Sequence, residues 1–147
     1  MNKITPFLWF ESQAEEAMNY YISIFKNSKV LSSNPQSVNF ILDGQEFIGL
    51  NAGPQFKFNE AISFQIYCET QDEVNFYWEK LSEGGDPNAQ QCGWLKDKYG
   101  VSWQVIPTIL IKMLKDQDSN KSQKVMKTML QMKKIDMQSL SHAYEQA

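Results

Sequence analysis

Three uncharged amides stand in strand-like stretches that are otherwise apolar. Asn51 stands next to last in "EFIGLNA", Gln65 interrupts "AISFQIYCE" and Gln104 sits inside "VSWQVIP". A buried amide needs hydrogen-bond partners. The same groups in a cleft suit a pocket that holds a polar small molecule. The competing assignment is that they face solvent or bond neighbouring backbone.

The other chemistry-bearing types are sparse or structurally explained. The one histidine, His142, lies near the C-terminus and reads as a surface residue. No His-rich zinc or iron site can be built from it. No serine sits in a nucleophile elbow, and neither GxGxxG nor GxxxxGK[ST] occurs. Glu15 and Glu73 each close an S/T-x-x-E capping box (Ser12–Glu15 and Thr70–Glu73). Asp43 and Asp97 belong to turns, and Glu46 flanks a hairpin. Any of these carboxylates could serve as a general base, but spacing singles out none. Catalytic residues therefore stay unassigned.

Composition narrows the function classes. The chain has 147 residues, 42 % hydrophobic and 13 % aromatic, enough for a substantial core. Its net charge is −3 and all 14 basic residues are lysine. Without arginine it lacks the usual bidentate reader of phosphate and guanine, so nucleic acid is disfavoured as a partner. No apolar run reaches bilayer length, so no membrane partner is expected. "MNKITPFLWF" lacks the features of a signal peptide. Cys68 and Cys92 form no CxxC pair, and a disulfide between them is disfavoured, so a cytoplasmic setting is expected.

The elements that would carry the amides follow from periodicity. Residues 4–10, 29–33, 38–43, 46–52 and 61–69 read as strands, with an Asp43-Gly44 hairpin turn. Ala14, Ala17, Met18, Tyr21 and Phe25 mark one amphipathic helix, and Val74, Tyr77, Trp78 and Leu81 a second. "CGWLKDKYGVSWQVIP" reads as a last hairpin turning at Asp97–Gly100. Phe7, Ala17, Tyr20, Tyr21 and Ile24 match Phe64, Val74, Tyr77, Trp78 and Leu81, all 57 positions on, while the capping boxes are 58 apart. This is an internal βαβββ repeat. Its second copy is less complete, with only a short piece near 89–91 available as second strand. After Pro107 three helices are expected: one over 108–116, one capped by Asp118 or Ser119 that buries Val125, Met126, Met129, Leu130 and Met132, and one capped by Asp136. Their methionine stripe reads as core or dimer packing rather than as a promiscuous binding face.

Alternation then sorts the strand side chains. Leu8, Phe10, Ser63, Gln65, Tyr67, Ser102 and Gln104 should share a cavity face. Phe7, Trp9, Phe64, Ile66, Trp103 and Val105 should face the helices. With Asn51, the first set supplies the candidate ligand-binding residues: Leu8, Phe10, Asn51, Ser63, Gln65, Tyr67 and Gln104.

"ITPFLWF", "AEEAMNYY", "LNAGP", "FNEAISFQIYCETQDEVNFYWEKL", "CGWLKDKYGVSWQVIP" and "MLQMKKIDMQSL" resemble the PhnB-like family, often labelled 3-demethylubiquinone 3-methyltransferase-like. That family lies in the vicinal oxygen chelate superfamily of glyoxalases, bleomycin resistance proteins and dioxygenases. The likeness runs through nearly the whole chain, tail included. It implies an α+β fold of paired βαβββ repeats forming a curved sheet around a cavity, over 1–107. A helical extension over 108–147 would pack on the same domain or on a dimer partner. A homodimer is implied. Superfamily enzymes carry metal ligands at positions that fall here near Pro6, Ser63 and Gln104, and the fourth cannot be placed. None of the three is a strong divalent-metal ligand, so neither metal nor other cofactor is expected. The methyltransferase label finds no Gly-rich strand-to-helix turn. The resulting expectation is a metal-free protein that binds a small-molecule ligand of unknown identity. The alternatives are a superfamily enzyme (lyase, isomerase or transferase) with an unrecognised site, and a structural or regulatory dimer with a filled barrel.

Overall fold

The computed structural model describes residues 2–147. The chain divides into two compact units, one ending at Phe58 and one spanning Asn59–Ala147.

The first unit runs β1 (Phe7–Phe10), α1 (Ala14–Ile24), β2 (Lys29–Ser33), β3 (Ser37–Leu42) and β4 (Gln45–Asn51). The sheet order is β1-β4-β3-β2, with β1 parallel to β4 and the other pairs antiparallel. Asp43 and Gly44 both take positive φ (48° and 80°), as a two-residue hairpin between right-twisted strands requires. Ala14, Ala17, Met18, Tyr21 and Ile24 form the buried stripe of α1. Beneath it lie Leu8, Phe10, Val38, Phe40 and Phe47. Phe40 and Phe47 are cross-strand partners and stack at 5.6 Å. Such a pair contributes about 1 kcal/mol beyond its buried area.

This arrangement reverses one expectation. Leu8 and Phe10 belong to the core under α1, and Phe7 and Trp9 take the other face. A Cβ on Gly49 would meet Phe10 at 3.3 Å and Ala14 at 3.4 Å, which shows which side the helix covers. The reason is a one-residue slip in the repeat. Ala17, Tyr21 and Ile24 do match Val74, Trp78 and Leu81 in burial, 57 positions on. In the strands, however, buried Leu8 corresponds to Phe64, 56 positions on. Because side chains alternate with period two, that single position swaps every residue of β1 to the opposite face. The Ser12–Glu15 capping box is also absent. α1 starts at Ala14 with no side-chain cap from its own segment.

The second unit runs β5 (Ser63–Cys68), α2 (Gln71–Ser82), a short 3-10 turn (Pro87–Ala89), β6 (Trp94–Lys96) and β7 (Ser102–Pro107). α3 (Thr108–Leu114), α4 (Ser119–Met129) and α5 (Met137–Glu145) follow. The sheet order β5-β7-β6 repeats β1-β4-β3, including the parallel first pair. No counterpart of β2 forms. The segment expected to supply it begins instead with the Pro87 turn, where Asp86 Oδ1 accepts the Asn88 amide at 2.9 Å. Thr70 caps α2 as expected, its Oγ1 accepting from the Glu73 amide at 3.1 Å. Glu73 reaches back to the Glu69 amide. Asp118 and Asp136 cap α4 and α5.

The three tail helices close a core of Leu110, Met113, Val125, Ile135 and Leu140 over Ile106 of β7. Met126 and Leu130, expected inside, are exposed. α4 turns only Val125 fully inward, and its neighbours one and five positions on fall outside that narrow stripe. Among the described residues no helix is long and apolar enough to cross a membrane.

Candidate functional site

The second sheet has one face under α2 and one face away from it. Phe64, Leu95, Trp103 and Val105 lie on the α2 side, where Val74, Trp78 and Leu81 are buried. Ser63, Gln65 and Tyr67 of β5 alternate onto the other side. So do Gln104 of β7 and Trp94 and Lys96 of β6. Strand register sets them in rows: Ser63 beside Ser102 beside Lys96, then Gln65 beside Gln104 beside Trp94, then Tyr67 beside Ile106.

The polar side chains on this face bond one another. Gln65 Nε2 donates to Gln104 Oε1 at 3.0 Å. Gln104 Nε2 donates to Ser63 Oγ at 2.8 Å. A carboxamide has two N–H donors and an acceptor oxygen with two lone pairs. The row thus keeps donors and acceptors beyond those used internally. Gln104 is half-buried, while Gln65 and Tyr67 are exposed. At the edge Lys96 Nζ pairs with Glu60. That bond to the ammonium holds the Glu60 carboxyl below its usual range.

Asp97 builds the hairpin that delivers Gln104. It is buried, yet its Oδ1 accepts from the Tyr99 and Val101 amides at 2.9 and 3.1 Å and its Oδ2 from Trp103 Nε1 at 2.8 Å. Gly100 takes φ 91°, as the turn reading requires. Trp103, locked beneath the sheet by Asp97, leaves Gln104 on the opposite face.

The remaining expected site residues go elsewhere. Leu8 and Phe10 are core. Asn51 spends both ends of its amide on backbone: Oδ1 accepts the Ala14 amide at 2.9 Å and Nδ2 donates to Pro35 O at 3.1 Å. Trp94 was missed by sequence reasoning, although counting back from the Asp97–Gly100 turn would have set it opposite Gln104. In the first unit the face away from α1 carries Phe7 and Trp9 beside Ile48 and Leu50. Trp9 Nε1 donates to Gly53 O at 2.9 Å, and its ring meets Phe56 edge-on.

The donor set does not fit the divalent cation that the superfamily implies. The three placeable positions hold a pyrrolidine ring (Pro6), a hydroxyl (Ser63) and an amide (Gln104), and the last two bond each other. Divalent cations are held by carboxylates, imidazoles or several converging oxygens. Among the described residues no group of three His, Cys, Asp or Glu side chains could hold a metal ion. Neither cysteine is activated as a nucleophile. Both cysteines are free. Burial pushes the Cys68 thiol up to about 12, helped by Glu73 and Glu69, and burial also raises Cys92. Exposed His142 borders a groove of about 760 Å³ between α4 and α5, lined by polar side chains such as Lys124, Thr128 and Gln138. No Phe, Tyr or Trp lines that groove, whose apolar surface comes from Ala143 and the stems of polar side chains and not from the aromatic groups common in ligand sites.

A βαβββ unit and a shorter second copy, with matching strand order, are thus in place. The family described as 3-demethylubiquinone-9 3-methyltransferase matches residues 2–106. The chain belongs to this family. The PhnB protein of Bacillus cereus is 38 % identical, with 72 % of this chain matched to 99 % of that one and a TM-score of 0.63. Two further structures share the fold alone. A Pseudomonas aeruginosa protein is 17 % identical over 73 % of this chain and 98 % of its own, with a TM-score of 0.55. A glyoxalase-related enzyme from Fulvimarina pelagi is 12 % identical over 74 % and 91 %, with a TM-score of 0.50. No curated protein matches the chain. The family match stops at residue 106, so it excludes the helical tail that the sequence resemblance takes in.

Proposed function

We propose that this member of the family is a small-molecule binding protein that works without a metal, and that the row Ser63–Gln104–Gln65 is its polar contact. The observation that supports this is the hydrogen-bonded row itself, set on the sheet face away from α2 with spare donors and acceptors. Tyr67 and Trp94 flank the row and offer flat apolar surface. The test is a fragment screen followed by side-chain amide NMR on wild type and Gln104→Leu. Fragments that shift the Gln65 and Gln104 amides should bind at least about tenfold more weakly to the variant, which cannot hydrogen-bond. Binding that survives Gln104→Leu unchanged removes the row from the site. A homodimer belongs to this reading, and analytical ultracentrifugation checks it. So does a cytoplasmic setting, which two free thiols suit.

The second reading is a superfamily enzyme, a lyase, isomerase or transferase. It is favoured by the Glu60–Lys96 pair, a carboxylate and an ammonium at the edge of the same face. Elemental analysis of untagged protein separates the two. Stoichiometric zinc, iron, manganese or nickel, lost in Gln104→Ala, would establish the enzyme reading.

A further inference from the structure

The amide row ends at the helical tail. Gln104 and Ile106 are two residues apart on β7, so their side chains share a face about 7 Å apart. Gln104 is half-buried beside its amide partner, whereas Ile106 is sealed under Leu110, Met113 and Ile135. Tyr67, the register partner of Ile106, remains 58 % exposed and stands at the seam.

The cover is anchored at several points. Gln71 Nε2 donates to Ile135 O at 3.0 Å, and Gln71 Oε1 accepts the Met137 amide at 2.8 Å. The Cys92 and Gly93 amides donate to Met132 O and Lys133 O, each at 2.8 Å. Gly93 is required for the closure. It has φ +89°, and a Cβ there would meet Ile106 Cδ1 at 2.7 Å and Ile135 Cγ1 at 3.3 Å. This cover belongs to the part of the chain beyond the family match. The Bacillus cereus relative is matched over 99 % of its length by 72 % of this chain, which leaves nothing in it to correspond to a segment of the tail's size.

We infer that α3–α5 form a fixed apolar end wall of the amide row and restrict it to a compact, planar, uncharged ligand bearing an amide or lactam group. This rests on the binding reading above. Neutrality follows from the row itself: its groups are amide and hydroxyl, and Lys96 is already paired with Glu60. Compactness follows from the short distance between Gln104 and the wall. The amide preference follows from adjacent donors and acceptors, which a carboxamide or lactam edge matches in pairs.

NMR titration of the full chain with benzamide, benzoate and para-butylbenzamide tests the wall. Benzamide should shift the Gln65 and Gln104 side-chain amides together with the Tyr67 ring and the Ile106 methyl. Benzoate and para-butylbenzamide should each bind about tenfold more weakly or worse. Tyr67→Ala, a change on β5 beside the wall and not in it, should leave the gap between benzamide and its butyl analogue in place, because α3–α5 set that gap. Equal affinity for the two in wild type, a gap abolished in Tyr67→Ala, or amide shifts without any at Ile106 would overturn the wall. Benzoate as tight as benzamide would overturn the neutral class. A titration that moves neither glutamine amide removes the binding reading itself.

Discussion

Asn51 Oδ1 accepts a hydrogen bond from the Ala14 amide at 2.9 Å, so a side chain on β4 caps a helix that begins 37 positions earlier. Asn51→Ala should therefore destabilise the fold by about 1 kcal/mol, as loss of a helix cap does. Asn51→Asp should recover only part of that loss, because it keeps the acceptor for Ala14 but sets a carboxylate oxygen against Pro35 O where the amide donated. Ser12→Ala should be close to neutral, since Ser12 does not cap α1. Urea denaturation midpoints of the three variants check this.

Asp97 and Trp103 form the second cross-element lock. Asp97→Ala leaves the Tyr99 and Val101 amides and the Trp103 indole N–H without their acceptor in a buried place. The expected cost is about 3 kcal/mol, since each orphaned buried donor carries a desolvation penalty. Equilibrium denaturation measures it, and near-ultraviolet circular dichroism should show the indole environment loosening. A loss below about 1 kcal/mol would mean that water replaces the carboxylate.

The Cys68 thiol is pushed up to about 12 from an ordinary value near 9, chiefly by burial and further by Glu73 and Glu69. The folded state therefore holds a proton that the unfolded chain gives up more readily. The stability linked to this group is fully present below about pH 9 and is lost as pH rises from there toward 12. Cys68→Ala should remove that part of the alkaline decline, seen by comparing melting temperatures of variant and wild type across the range. In native protein near neutral pH, Cys68 should resist disulfide-exchange reagents until the chain unfolds.

Gly93→Ala should dislodge the tail. The new methyl would meet Ile106 Cδ1 at 2.7 Å, on a backbone at φ +89° that non-glycine residues rarely adopt. Strain of this kind costs about 2 kcal/mol. Hydrogen exchange should show faster opening over α3–α5 while β5 and α2 keep their protection. Uniform acceleration through the second unit would mean instead that the tail and the sheet unfold as one.

Much of the candidate site was legible because its signals are local. The Asp97–Gly100 turn sets the register of β6 against β7, and alternation along β7 then places Gln104 opposite the helix side. Counting along β5 in the same way places Ser63, Gln65 and Tyr67. The Thr70 box and the Asp118 and Asp136 caps were readable for the same reason: each side chain bonds a backbone group two or three residues away. Leu8, Phe10 and Asn51 were misread because nothing local distinguishes their true places. β1 is only four residues long, and both of its alternating sets, Phe7 with Trp9 and Leu8 with Phe10, are apolar. Asn51 could be assigned to α1 only once β1 and β4 were known to lie side by side.

The amino-acid pattern alone determined most of the segments that become strands and helices, where the hairpins turn, and that the βαβββ unit recurs in a less complete second copy. These depend on side-chain period, capping and turn chemistry within a few residues of each position. The tertiary structure decided which face of β1 meets α1, that Asn51 serves as a cap, and that the tail closes over Ile106 at the end of the amide row. Those outcomes depend on contacts between residues tens of positions apart. A one-residue slip in such a pairing inverts a whole strand while leaving its local pattern nearly unchanged.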